Sequence, residues 1–209
     1  MNEWDLQHTL STKFRSERLQ FGSVEFELVC WELMFPSWSV NDKFSKWNET
    51  SIDFIFYSEN KNLFLCVELK NNLKTKKELL SAYCQVTQRA VKFSEQFSIE
   101  KITNARNECF KNAPTKRGGP EKAKKLKIKE NSKVGRILIA NNFLKNYEAL
   151  IEEWNKLSYE ELLELVNSYT ENTELKRYKS LSKIQIINTL HSGLSAFTFG
   201  ELLCRSYGK

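Results

Sequence analysis

The sequence predicts an α/β fold, a central sheet flanked by helices, followed by a small helical C-terminal region. Three observations lead there. Leu63 to Val67, running on into Leu69, is an unbroken apolar stretch with β character, as a strand buried on both faces requires. Ser51 to Phe56 is a second apolar strand, divided from the first by the polar turn Ser58 to Asn62. Val134 to Ala140 is a third, and it comes only after a long amphipathic helical pattern.

Taken in order, the first 22 residues offer only short helical turns, over Glu3 to Leu10 and Thr12 to Leu19. Ser23 is a candidate N-cap, and Val24, Leu28, Trp31 and Phe35 fall at helical spacing before Pro36, so a helix is expected here. A strand over Val24 to Leu33 is the alternative, because several of these residues favour β structure. Ser37 to Phe44 is expected as a short edge strand, and Trp47 to Thr50 as the turn into the strand that carries Asp53. Thr75 to Glu78 spells a capping box, T-x-x-E, and opens a helix whose Leu79, Tyr83, Val86, Ala90, Phe93 and Phe97 advance by alternating fours and threes. After Ala140, the residues Phe143, Tyr147, Leu150, Ile151, Trp154 and Leu157 predict a helix that covers the sheet. Three more capping boxes, at Ser158, Ser182 and Thr198, predict helices near 159–170, 183–191 and 199–205. The expected division is residues 1–157 as one domain, with a basic insertion at about 98–133, and residues 158–209 as the helical C-terminal region. Those short helices could form a helix-turn-helix-like DNA reader, but the region is not notably basic, and a packing cap on the core or a dimer contact is the alternative.

The central strand ends on two charges. Period two puts Glu68 and Lys70 on one face, at the carboxyl end of a strand with no structural need for either. Asp53 interrupts the neighbouring strand, so Asp53, Glu68 and Lys70 can meet at one point. The plain alternative is an ordinary ion pair at a strand end beside a turn-proximal acid.

This Asp followed by Glu-x-Lys resembles the PD-(D/E)xK nuclease superfamily, the restriction-endonuclease-like fold. Asp53 takes the Asp position and Glu68 and Lys70 the E-x-K positions, while Ile52 stands where the family often has Pro. The helix, strands, helix, strand order over roughly residues 23–142 is also that of the family core. The resemblance implies a mixed central sheet and hydrolysis of phosphodiester bonds in DNA by an endonuclease. It implies Mg2+, with Mn2+ able to substitute, held by Asp53, Glu68 and the Leu69 backbone carbonyl, with Lys70 acting on the attacking water or the phosphate. Glu25-Phe-Glu-Leu-Val29 looks like the start of the helix that supplies a further carboxylate in archaeal Holliday-junction resolvases. That points to Glu25 as a catalytic and metal-facing residue, with Glu27 and Glu32 in reserve. A glutamine on the helix after the E-x-K strand is a family habit, for which Gln85 and then Gln88 are the candidates. Restriction, defence, junction resolution and transposition are the settings implied, with a homodimer expected if both strands are cut. The alternative is a module of the same fold that binds nucleic acid, or a larger assembly, without cutting.

The charge distribution agrees with a nucleic-acid partner. The 209-residue chain carries a net +6, yet between Ser98 and Arg136 there are twelve Lys or Arg and four Asp or Glu, so all the positive excess sits in one segment. It reads as a mobile basic loop, with Lys116, Arg117, Lys122, Lys124, Lys125, Lys127 and Lys129, and Arg89 from the preceding helix, as candidate phosphate contacts; a solvated linker is the plain alternative. Content that is 41% hydrophobic and 12% aromatic argues for a folded chain. No apolar run is long enough to span a membrane and no signal-peptide layout opens the chain, so a cytoplasmic protein with no membrane partner is expected. Five cysteines without C-x-x-C spacing read as reduced thiols, and two histidines, His8 and His191, leave no histidine-based metal site or triad in view. No phosphate-binding glycine loop is present.

Overall fold

The structure, a computed structural model, describes residues 2–35, 37–38, 50–111, 123, 125–169, 190–191 and 193–208. The chain opens with helix α1 (Glu3–Ser16), locked by a capping box in which the side chains of Asn2 and Asp5 each take the other's backbone N–H. It turns directly into β1 (Glu17–Phe21), and Gly22, at φ +60°, makes the tight reversal that pairs Phe21 with Val24 and starts β2 (Val24–Phe35). The helix expected from Ser23 is therefore a strand. Its helical spacing was coincidental: Phe26, Leu28, Val29, Cys30 and Leu33 are buried on both faces of the sheet, and β-branched and aromatic side chains suit that setting. Ser37 and Trp38 are not in a strand, and the rest of the expected 37–44 strand lies outside the described residues.

β2, β3 (Thr50–Ser58) and β4 (Leu63–Leu73) form an antiparallel meander. The Thr75 capping box forms as expected and opens α2 (Lys76–Gln96). Next comes α3 (Ile99–Lys111), a helix where a basic loop was expected. Counting charges in that segment hides its apolar stripe: Ile102, Ala105, Arg106, Cys109 and Phe110 recur at helical spacing and are all buried. β5 (Lys133–Phe143) lies parallel to β4, as a crossover through helices demands, and α4 (Tyr147–Lys156) and α5 (Tyr159–Ser168) follow. The expected 183–191 helix falls almost wholly outside the described residues, and Leu190 makes an isolated bridge to Val134. Then come β6 (Ser195–Thr198), α6 (Phe199–Cys204), capped by Thr198 and Glu201 as the sequence predicts, and β7 (Ser206–Gly208).

The described strands join in one mixed seven-stranded sheet of order β6-β5-β4-β3-β2-β1-β7, so Ser195–Thr198 and Ser206–Gly208 belong to the sheet and not to a purely helical C-terminal region. α1 and α6 cover one face through Leu6, Leu10, Phe14 and Leu202 against Leu65, Val67 and Leu69. α2 and α3 cover the other through Ala90, Phe93, Ile102 and Phe110 against Phe64 and Cys66, and α4 and α5 extend that layer over Leu138 and Ala140. Each fully buried Phe or Leu contributes about 1.5–3 kcal/mol, and both faces of β4 carry them. The sheet is strongly curled: the rings of Phe21 on β1 and Phe197 on β6, near opposite ends of the strand order, lie 5.1 Å apart. All five cysteines are free, and burial raises the thiols of Cys30 and Cys84 to about 12, so they stay protonated in the core. Among the described residues no helix is long and apolar enough to cross a membrane.

Candidate active site at a fork in the sheet

β3 and β4 pair from Ser58↔Leu63 as far as Phe54↔Val67 and then part. Beyond that point β3 stays with β2 as far as Phe35↔Thr50, while β4 stays with β5 as far as Leu73↔Phe143. The result is a fork, and Asp53 and Glu68 are the first residues inside it, facing each other one step past the last ladder pair. The Asp53 carboxylate takes over from the interrupted ladder, its Oδ2 accepting the Leu69 N–H at 2.7 Å. An extended residue turns its N–H and C=O toward the same strand edge, so the Leu69 carbonyl also points into the fork.

Alternation fixes the directions. Leu65, Val67 and Leu69 face α1, so Glu68 and Lys70 face α2, where Glu68 is 1% exposed. Lys70 Nζ lies 2.7 Å from Glu68 Oε1, and the Arg89 guanidinium, from the middle of α2, donates to Oε2. A buried carboxylate is tolerable only with such partners. Glu3, from the first turn of α1, adds a third acid at the margin, its Oε1 3.7 Å from Lys70 Nζ. Burial and then the facing Glu68 push the Asp53 carboxyl up to about 8, against smaller opposing effects of Arg89 and the Leu69 N–H. Burial would lower the Lys70 ammonium, but Glu68 outweighs it, with Glu3 and Asp53 adding to the same sign, and Lys70 is held above its ordinary value. Lys70 is thus a cation and a hydrogen-bond donor here.

Of the residues singled out in the sequence, Asp53, Glu68, Leu69 and Lys70 come together. Gln85 is one helical turn from Arg89 and half-buried, so of the two glutamines it is the one that shares the face of α2 turned to the fork. Glu25 does not belong to the site. It lies on β2, largely exposed and bonded to Arg18, and Glu27 beside it bonds the same arginine. Glu27 pairs with Tyr57, four residues along β3 from Asp53, about 13 Å away at strand rise. Glu32 is on the same strand at a positive φ of 49°. The helix that does precede the sheet, α1, supplies Glu3 instead; the missed signal was Asn2 with Asp5, an N-cap pattern directly flanking that acid.

Arg89, expected on phosphate, is bonded to Glu68. Lys116, Arg117, Lys122 and Lys124 lie outside the described residues. Lys125, Lys127 and Lys129 are exposed on an extended segment whose Leu126 and Ile128 turn inward, and the segment is tied to the β3–β4 turn through the Lys127 N–H to Glu59 at 2.9 Å. That places these lysines at the end of the sheet opposite the fork.

Among the described residues no group of three or more His, Cys, Asp and Glu is assembled as a metal cluster. The donors at the fork nevertheless suit one kind of ion. Magnesium needs only one or two carboxylates and completes its shell with water and substrate oxygens, and Asp53, opposed across strands by a second carboxylate, is the acid whose charge is least compensated. Asp53, Glu68 and the Leu69 carbonyl fit that demand, provided Arg89 yields its place on Glu68. No protein-family model matches the chain, and neither the curated proteins nor the solved structures hold a match for it.

Proposed function

We propose that the chain is a Mg2+-dependent endonuclease of the PD-(D/E)xK type that hydrolyses phosphodiester bonds in DNA, with Mn2+ able to substitute. The observation that carries the reading is the meeting of Asp53, Glu68 and Lys70 in a fork between β3 and β4. The order helix, antiparallel meander, helices, parallel strand supports it. Asp53, Glu68 and the Leu69 carbonyl hold the ion, which supplies charge neutralisation at the scissile phosphate. Lys70, kept protonated by Glu68, donates to the attacking water or to a phosphoryl oxygen as negative charge builds there. Arg89, released from Glu68, is a second donor for the phosphate, and its bidentate guanidinium suits that oxygen geometry. Cutting both strands of a duplex calls for two such sites, so a homodimer is part of the proposal.

The test is nicking of supercoiled plasmid with and without Mg2+. The wild-type chain is expected to nick only with the metal, and Lys70→Ala to lose about 100-fold or more of the rate, the range seen when one preorganised charge-stabilising donor is removed. Equal nicking by both proteins removes Lys70 from the chemistry. A second reading, a DNA-binding module that does not cut, draws on one observation: both Glu68 oxygens already have cationic partners. Salt-sensitive DNA binding with no metal-dependent nicking selects it.

A further inference from the structure

The curl of the sheet leaves a cavity of about 500 Å³ at the end away from the fork. Its floor is Leu63, Leu65 and Ile137, at the beginnings of β4 and β5 on the α1 side. One wall is the β1–β2 hairpin, through Phe21 and Phe26, and the other is β6, through Phe197. Gly135, paired with Leu65 beside that floor, has no side chain to displace it, and a Cβ there would stand 2.9 Å from Leu65 Cδ2. The cavity is thus the mouth of a nearly closed sheet, a place where ligand sites recur, and its volume is within the range of small-molecule pockets.

The rim carries charge of one sign. Lys61 in the β3–β4 turn and Lys133 at the start of β5 are exposed, His191 and Ser195 stand beside them, and no carboxylate is among the described residues that line the cavity. The Arg136 guanidinium turns away, to Thr87 and Tyr83 on the other face. Arg205 stands over the rings of both Phe21 and Phe197, adding a further cation to the wall where the two edges meet. An apolar floor between aromatic walls under a rim of cations and hydroxyl is complementary to one kind of molecule.

We propose that this mouth is a binding site for an amphiphilic anion, an aromatic or alkyl body buried against Leu65, Phe21 and Phe197 with a carboxylate, sulfonate or phosphate held by Lys61 and Lys133. It is independent of the fork, since Leu63 and Glu68 are five residues apart on β4, about 16 Å at strand rise. Two sources share this chemistry, a fatty-acid-like carboxylate and a nucleotide-like phosphate.

The probe is anilinonaphthalene sulfonate, read by fluorescence, beside its uncharged relative N-phenylnaphthylamine. The full chain is expected to bind the sulfonate at one saturable site and the neutral compound at least tenfold more weakly. Lys61→Glu with Lys133→Glu, at exposed positions, is expected to keep the circular dichroism spectrum and melting temperature and to weaken the sulfonate at least tenfold. Displacement by decanoate assigns the site to carboxylate amphiphiles, and displacement by adenosine monophosphate assigns it to nucleotides. Equal binding of the two probes, an unchanged affinity in the double variant, or displacement by neither competitor overturns the proposal.

Discussion

Glu25 with Glu27 on β2, and Asp53 with Glu68 across β3 and β4, are both acid pairs gathered by strand geometry, and both have cations beside them. They differ in what the backbone does around them. Glu27 sits opposite Tyr57 beside the β2 bulge, Arg18 spans both acids of its pair, and Arg106 approaches Glu27 while donating to the bulge carbonyl, so the acids have cations and the broken ladder has a donor. Asp53 and Glu68 stand where the ladder stops, with a side chain accepting the backbone N–H of Leu69 and burial pushing one carboxyl up to about 8. Paired acids become a candidate site where strands part, because only there do carboxylates and backbone groups face a gap in place of a partner strand.

The largest effect expected from breaking this contrast is on the balanced pair. Arg106, buried on α3, donates to the Leu28 carbonyl at the β2 bulge and lies 3.9 Å from Glu27. Arg106→Ala removes the donor and leaves the bulge carbonyl and the Glu27 carboxylate poorly compensated in the core, at a cost of about 3–5 kcal/mol measured by urea unfolding. A loss below 1 kcal/mol would show that water replaces the guanidinium there.

At the fork the corresponding change acts on ligand affinity. Arg89→Gln strips one positive charge from Glu68, so a divalent cation meets less competition, and Mn2+ is expected to bind about tenfold more tightly by calorimetry, a difference of about 1.4 kcal/mol. Unchanged or weaker Mn2+ binding means that Arg89 does not compete for the place. Nicking by the same variant is expected to fall, because the donor for the phosphate is gone.

One acid from each pair can also be compared without metal. A carboxyl raised above its unfolded-state value binds its proton more tightly when folded, so Asp53 lowers stability progressively as pH rises from about 4 to about 8. Asp53→Asn keeps an oxygen for the Leu69 N–H and removes that loss. It is expected to raise the melting temperature at pH 8, by about 3 °C for each kcal/mol recovered, with little change at pH 4. Glu25→Gln, at an exposed ion pair, is expected to move stability by less than about 0.5 kcal/mol at either pH. A matching rise in both variants would erase the distinction between the pairs.

Much of the site could be read from the sequence because two of its signals are local. Two charges closing an apolar run placed Glu68 and Lys70 on one face, and capping boxes fixed the starts of α2, α5 and α6. What escaped depends on distant partners. Arg89 meets Glu68 and Glu3 meets Lys70 only after folding, and no spacing announces either contact. β2 was read as a helix because four apolar residues fell at helical intervals, although Phe21-Gly-Ser-Val24 held a two-residue turn of the kind that joins strands. β6 and β7 are four and three residues long, too short for any alternation, and exist because neighbouring strand edges accept them.

That last feature reaches beyond the site. β6 extends β5 on one margin of the sheet and β7 extends β1 on the other, with α6 as the link between them. One short latch therefore shields two sets of unpaired amides and carbonyls that would otherwise template contact with another chain. Unlatching it would bare the β5 and β1 edges in a single event, because the same segment covers both.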